Sequence, residues 1–402
     1  MKVLYLANGL PHYFNLVLSK LNASPGMEVV VVAPRGPGRH IGHGVFQSRD
    51  GIGFRIVELE EYANRLFAGF RGLPRLLLRE RPDVIVFPEY LLTGFFLHPG
   101  LALARVIVGA KLVQKSIPFL IPDYETARKR LGGRLPPPAT AIGKLLQALG
   151  LREPMLRAAL ELRAWCYRRL DAHVNYVDAA REVYGSYGVA PERICVTRNS
   201  PDTDAMRRTE AALQAAGDAP VRLPFRLLHV GRLVAEKRVD LLLEAMPLVR
   251  ARLPRAELVI VGDGPQRAAF EAQAARLGLA GAAHFAGPVY DPLVLGRHFL
   301  SASVFVLPGL GGLSINEAMF YGMAVVCSAG DGTEKFLVRE GYNGSFFRGG
   351  DRDSLAEAIL GLMADPQELQ RMGARSRGII DREINIHTVI DAYRKAFSRA
   401  CA

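Results

Sequence analysis

VFVLPGLGGLSINEAM (Val304–Met319) sets an apolar tetrapeptide, a glycine-rich turn and a segment of helical composition end to end. VFVL does not alternate polar with apolar residues, which marks a strand covered on both faces, as in a parallel sheet under helices. Gly309, Gly311 and Gly312 follow it. A chain that leaves a strand, turns through glycines and enters a helix gathers backbone amides that attract anions. Glu317 then places a carboxylate one turn inside the helix. Ser314 and Glu317 also have the spacing of a capping box, in which the serine caps the helix and the glutamate reaches back to an N–H. On this stretch alone the helix cap is the stronger reading of Glu317, and the ligand carboxylate the weaker.

The same order of strand, turn and helix recurs along the chain. VLYLA (Val3–Ala7), EVVVVA (Glu28–Ala33), FRIVEL (Phe54–Leu59) and DVIVF (Asp83–Phe87) are continuous apolar runs separated by helical spacing. After a break rich in turn and charge signals (Arg198–Pro220) the pattern restarts with FRLLHVG (Phe225–Gly231), AELVIVGDG (Ala256–Gly264), AAHFAG (Ala282–Gly287), VFVLPG and MAVVCS (Met323–Ser328). Amphipathic segments such as VDLLLEAMPLVRARL (Val239–Leu253) intervene. The expected architecture is α/β: two consecutive Rossmann-like βαβ domains, residues 1–200 and 201–385, facing across a cleft. Ligands in such sheets bind beyond the carboxyl ends of the strands.

Composition narrows the classes. At 402 residues and 50% apolar content the chain can bury two cores of ordinary size. Its four cysteines (Cys166, Cys195, Cys327, Cys401) form no C-x-x-C pair, which argues against a zinc site or a disulfide framework and suits a reducing, cytoplasmic compartment. The start, MKVLYLANG, reads as a first strand rather than a signal peptide. No uncharged apolar run reaches the roughly 18–20 residues of a transmembrane helix; Tyr90–Ala104 is interrupted by His98, Pro99 and Gly100. The net charge of +12 is uneven: residues 1–200 hold 27 Lys and Arg against 16 Asp and Glu, and residues 101–150 hold eight against two. That asymmetry suits an anionic partner, either a membrane surface or a phosphorylated acceptor, more than it suits a merely solvated basic face. No nucleic-acid-binding motif accompanies it.

Two further stretches carry candidate chemistry. In HVGRLVAEKRVD (His229–Asp240) a strand ends, Gly231 turns the backbone, and Arg232 and Lys237 stand five residues apart at a helix start, an arrangement suited to a diphosphate. Two exposed loop cations have the same spacing. VGDGPQ (Val261–Gln266) is a turn with proline at the first helical position, which needs no function.

In order, G-R-x4-K, V-G-D-G-P, P-x-x-G-G-L-x-x-N-E-A-M-x-x-G and D-G-T-E-K-F-L-V-x-x-G-x-N-G resemble the C-terminal half of retaining, nucleotide-sugar-dependent glycosyltransferases of family 4, which have the GT-B fold. The resemblance covers about residues 190–400. It implies that Arg232 and Lys237 bind the donor diphosphate and Glu317 the nucleotide ribose, a diol that a carboxylate accepts well. By the same resemblance Gly231, Asp263, Gly264, Gly311, Gly312, Leu313 and Ser314 line the donor site, and the base lies near Gly287–Tyr290, at Val289. It also implies a final helix, residues 386–402, crossing back to the first domain.

The chain departs from the family twice. A second glutamate, common in the family eight residues before the first, is here Gly309, so the contact to the donor sugar is altered. The histidine that many members carry in the first domain is missing from KLVQKSIPF (Lys111–Phe119). Gly9, His12 and Lys115 are the candidate acceptor contacts.

The implied reaction is sugar transfer with retention from a nucleoside diphosphate of UDP or GDP type to an acceptor hydroxyl, with no required metal or other cofactor. Its setting is cell-surface polysaccharide or lipid-linked oligosaccharide synthesis, on the inner face of the plasma membrane. Ala127–Leu170, basic and proline-containing, suits docking on anionic lipid or a helical insertion with arginines facing water. A non-catalytic partner subunit and a nucleotide-sugar 2-epimerase share the fold. A dinucleotide dehydrogenase fits least, because Asn8-Gly9-Leu10-Pro11 after the first strand lacks G-x-G-x-x-G.

Overall fold

Consecutive residues Leu227 and Leu228 are both fully buried and belong to different apolar clusters. That pairing explains why the strands read as unbroken apolar runs: each sheet is covered on both faces. The computed structural model describes residues 1–36, 49, 51–64, 67–117, 121–132, 147–217, 219–330 and 332–402, except for the side chains of His12 and Tyr13. Its chain divides into two units, Met1–Arg198 with Val389–Ala402, and Asn199–Thr388.

The first unit contains strands β1 (Lys2–Leu6), β2 (Glu28–Pro34), β3 (Arg55–Leu59), β4 (Glu61–Ala63), β5 (Ala68–Phe70), β6 (Val84–Phe87), β7 (Lys111–Lys115), β8 (Ala172–Asn175) and β9 (Ile194–Val196). Seven form a parallel sheet in the order β3-β2-β1-β6-β7-β8-β9, and β4 and β5 pair as a separate antiparallel ribbon. Helices α1 (His12–Asn22), α2 (Leu73–Glu80), α3 (Gly94–Leu97), α4 (Pro99–Val108), α5 (Tyr124–Gly132), α6 (Arg152–Arg168) and α7 (Ala179–Ser186) connect the strands. The core gathers Leu4, Val30, Ile85, Phe87, Leu112 and the buried tyrosines Tyr167, Tyr184 and Tyr187. Of the basic stretch Ala127–Leu170, residues 133–146 lie outside the described residues.

In the second unit β10 (Arg226–Val230), β11 (Glu257–Val261), β12 (Ala283–Gly287), β13 (Val304–Leu307), β14 (Ala324–Cys327) and β15 (Gly344–Phe346) form a parallel sheet. Its order, β12-β11-β10-β13-β14-β15, is that of a doubly wound Rossmann sheet. The helices are α8 (Thr203–Ala215), α9 (Val239–Arg252), α10 (Arg267–Arg276), α11 (Pro292–Ser301), α12 (Ser314–Phe320), α13 (Glu334–Leu337), α14 (Arg352–Met363), α15 (Pro366–Arg382) and α16 (Ile386–Cys401). The stretch read as a break at Arg198–Pro220 is largely α8. Asp202 caps it, its carboxylate accepting from the amides of Asp204 (3.1 Å) and Ala205 (3.2 Å). Apolar positions too sparse for a clear stripe hid this helix; only Thr203 and Leu213 are buried. Helix α16 starts in the second unit and, from Val389, belongs to the first.

Candidate functional site

The second sheet reverses its winding between β10 and β13, and the loops beyond those strands mark the place where open α/β sheets bind ligands. Three loops are stitched together there by their backbones. Gly231 N–H donates to the Val261 carbonyl (3.0 Å), Leu233 N–H to that of Asp263 (2.9 Å), and Gly262 N–H to that of Gly287 (2.9 Å). Gly262 has φ +140°, and a Cβ on it would lie 1.9 Å from the Gly231 oxygen, so no other residue fits. The V-G-D-G-P signature is therefore a backbone contact before it is anything else. Asp263 is exposed, accepts the Gly264 amide (2.8 Å) and lies 4.0 Å from Arg267. Val289 is half-buried against the cluster of Val261 and Phe305.

The loop between β13 and α12 is fastened to the β10–α9 loop. Leu310 N–H donates to the Glu236 carbonyl (2.9 Å), and the Lys237 ammonium donates to the carbonyls of Leu310 (2.8 Å) and Gly311 (2.5 Å). Gly309 packs directly on this crossing: its Cβ would stand 2.2 Å from the Glu236 oxygen. A glutamate cannot occupy position 309 on this backbone, which is the physical content of the departure at that position. Gly312 lies beside the Lys237 ammonium, its Cβ position 3.3 Å away. Arg232 is exposed on the same loop as Lys237.

The capping box does not form. Helix α12 begins at Ser314, Leu313 takes the cap position, and no side chain caps the helix. Glu317 has no hydrogen-bond or ion-pair partner among the described residues, and burial pushes its carboxyl up to about 7. Part of its surface remains accessible, so the group is poorly hydrated rather than sealed. An unengaged, poorly hydrated carboxylate one turn behind a glycine loop is what a ligand hydroxyl pair can satisfy, and what a cap would already have consumed.

Two neighbours of this site went unassigned in the sequence. His229, on β10, donates Nδ1–H to the Val306 carbonyl (3.0 Å), leaving Nε2 buried beneath Gly231 without a partner among the described residues; burial holds its pKa down to about 4. Glu334 is fully buried and accepts the amides of Gly330 (3.3 Å) and Gly332 (3.2 Å), shaping a loop that touches Leu310. The available signal was a histidine inside an apolar strand and an acid in D-G-T-E-K.

In the first unit, Gly9 is buried beyond β1. His12 opens α1, but its side chain lies outside the described residues. Lys115 ends β7 with its ammonium 4.1 Å above the Phe14 ring. No carboxylate pairs with it among the described residues, and burial lowers its pKa to about 8. Among the described residues no group of three or more His, Cys, Asp or Glu side chains is placed to hold a metal ion.

The model of the family "Glycosyl transferases group 1" matches residues 222–378. The chain is 32% identical over 197 residues to a GDP-mannose-dependent alpha-(1-6)-phosphatidylinositol monomannoside mannosyltransferase of Mycolicibacterium smegmatis, covering 46% of this chain and 50% of that one. It is 33% identical over 247 residues to a D-inositol 3-phosphate glycosyltransferase of Geodermatophilus obscurus, covering 57% and 53%. The chain thus spans about half the length of these relatives. Anabaena Alr3699/HepE in complex with UDP superposes with a TM-score of 0.67 at 18% identity, over 99% of this chain and 100% of that one. Residues 222–378 are thus similar to the glycosyl transferases group 1 family, and the two parallel sheets of the chain have the Rossmann-like folds of the GT-B glycosyltransferases.

Proposed function

We propose that the protein transfers a sugar, with retained configuration, from a nucleoside diphosphate sugar to an acceptor hydroxyl in cell-surface polysaccharide or lipid-linked oligosaccharide synthesis. The carrying observation is Glu317, a carboxylate without a partner among the described residues, one turn behind the glycine loop to which Lys237 is fastened. It takes the ribose hydroxyls, while Arg232, Lys237 and the amides of Gly312, Leu313 and Ser314 take the diphosphate. As the bond from the sugar to the leaving phosphate breaks, negative charge grows on that phosphate, and these groups stabilise it. With two cations in place the reaction requires no metal, and activity survives EDTA. The leaving phosphate assists removal of the acceptor's proton. Relatives named as mannosyl- and inositol phosphate glycosyltransferases, and a fold neighbour holding UDP, support this reading. Gly9, His12 and Lys115 are the proposed acceptor contacts.

A thermal-shift panel of UDP, GDP, ADP and TDP and their sugars, run on the wild type and Arg232→Ala, tests the donor site. One nucleotide raises the melting temperature of the wild type and loses its effect in the variant; no shift with any of them overturns the site. Gly309 favours a second reading, a donor-binding subunit without catalysis, because a side chain is excluded where family members place a sugar-contacting glutamate. Binding of a nucleotide sugar with neither transfer nor hydrolysis would select it.

A further inference from the structure

One corner of the first unit takes no part in the donor chemistry. Helix α4 is a surface helix whose outer face is apolar. Leu101 and Ala104 face the core, while Leu103, Val106 and Ile107 are 61%, 66% and 54% exposed, and Arg105 is its only charge. Leu97, at the end of α3, is also exposed, and Phe96 beside it packs edge-on against the half-exposed Trp165. The Arg169 guanidinium caps that indole at 3.9 Å. Among the described residues no single helix is long and apolar enough to cross a membrane; Glu89–Leu97 and Pro99–Val108 pass that test only as a pair bent by 86°. Buried core helices pass it too, but the outer face of α4 is not buried.

Helix α2 packs along α4, and Arg75 and Leu78 lie one turn apart on its exposed side. Arg71, Arg75, Tyr62, Phe70, Pro74 and His98 line a pocket of about 430 Å³ beside the start of α4. Arg71 pairs with Glu60 at 3.3 Å, whereas Arg75 has no carboxylate partner among the described residues.

We propose that this corner is a bilayer contact: the outer face of α4, with Leu97, enters the boundary between headgroups and acyl chains. The headgroup of an anionic phospholipid occupies the pocket between Arg71 and Arg75. An apolar helix face flanked by basic residues is the arrangement that lies in a membrane interface, and an indole under a guanidinium suits the same depth. Charge selects the occupant. Residues 1–200 carry 27 basic against 16 acidic groups, so a second copy of this chain would bring positive charge onto a positive corner, while an anionic leaflet attracts it.

The test is flotation of the full chain with vesicles of phosphatidylcholine alone and of phosphatidylcholine mixed with phosphatidylglycerol, at low and high salt. The wild type binds the mixed vesicles in a salt-sensitive way. Val106→Asp/Ile107→Asp and Arg71→Ala/Arg75→Ala each weaken binding by about tenfold or more. All four side chains are exposed, and circular dichroism melts confirm that both variants fold. Absence of wild-type binding, or a variant binding as well as the wild type, overturns the proposal. So does a wild-type dimer in sedimentation equilibrium that Val106→Asp/Ile107→Asp dissociates, which would assign the face to a second copy. No sugar nucleotide enters the readout, so the result stands apart from the donor-site test.

Discussion

Glu317 carries the sharpest consequence for a single side chain. Its carboxyl titrates at about 7 in the folded chain, because burial disfavours the charged form and nothing nearby compensates. The folded state therefore holds the proton more tightly than the unfolded state. Stability falls as pH rises from the ordinary glutamate range to about 7, and the penalty is complete above that. Glu317→Gln removes it. With a discount for the accessible part of the side chain, we expect the variant to be more stable than the wild type by about 1–2 kcal/mol at pH 8 and no more stable at pH 4. Melting curves at the two pH values check this; equal melting temperatures at pH 8 would refute it. Nucleotide-sugar affinity should move the other way. The ribose site needs the carboxylate, so the wild-type Kd should weaken about tenfold per pH unit below 7, while the variant binds weakly at every pH. Titration with the intact nucleotide sugar, whose diphosphate diester has no proton to gain in this range, isolates the effect.

Among the loops, the crossing of β13–α12 over β10–α9 decides whether Lys237 is held in place. Gly309 is its closest approach, with a Cβ position 2.2 Å from the Glu236 oxygen and 2.8 Å from that of Lys237. In Gly309→Ala the loops must part, which we expect to lower stability by about 1–3 kcal/mol. The Lys237 ammonium would then leave the Leu310 and Gly311 carbonyls, and nucleotide affinity should fall with it. Urea denaturation followed by nucleotide titration measures both; an unchanged midpoint with unchanged affinity would show that the two loops do not touch as described. Gly262→Ala tests the neighbouring crossing in the same way and should be worse, because φ +140° adds backbone strain to the clash.

Across the two units, the last helix matters most. From Val389 onward α16 belongs to the first unit, where Phe397 is 1% exposed and the Tyr393 ring lies 6.3 Å from that of Phe14. Phe397→Ala should cost about 3–5 kcal/mol, charged to the unit that receives the helix rather than to the one that precedes it in sequence. Hydrogen exchange resolves this: protection should fall in β1, β2 and α1 and stay at its wild-type level in β10 and β13. Uniform loss in both sheets would mean that the two units unfold together.

The strands were legible because burial on both faces leaves a mark that needs no partner: Leu227 and Leu228 must both be apolar whatever lies against them. Three-residue strands such as β4, β5 and β15 were not, since so short a run has no period to read. Helix α8 was missed for a related reason: its stripe is thin, and its cap, Asp202, was read as turn chemistry. At Ser314 and Glu317 the residues permit two structures, and the choice fell to the backbone at Leu313, which takes the cap position and so starts the helix one position too early for the serine to cap it. Gly309 and Gly262 were visible as glycines. That the Glu236 and Gly231 carbonyls stand against them was not, because those contacts join segments 73 and 31 residues apart. Periodicity and composition act locally, so the sequence alone determines strands, helices and charge. Which atoms press on one another where loops converge depends on the packing of distant segments, and only the folded chain decides it.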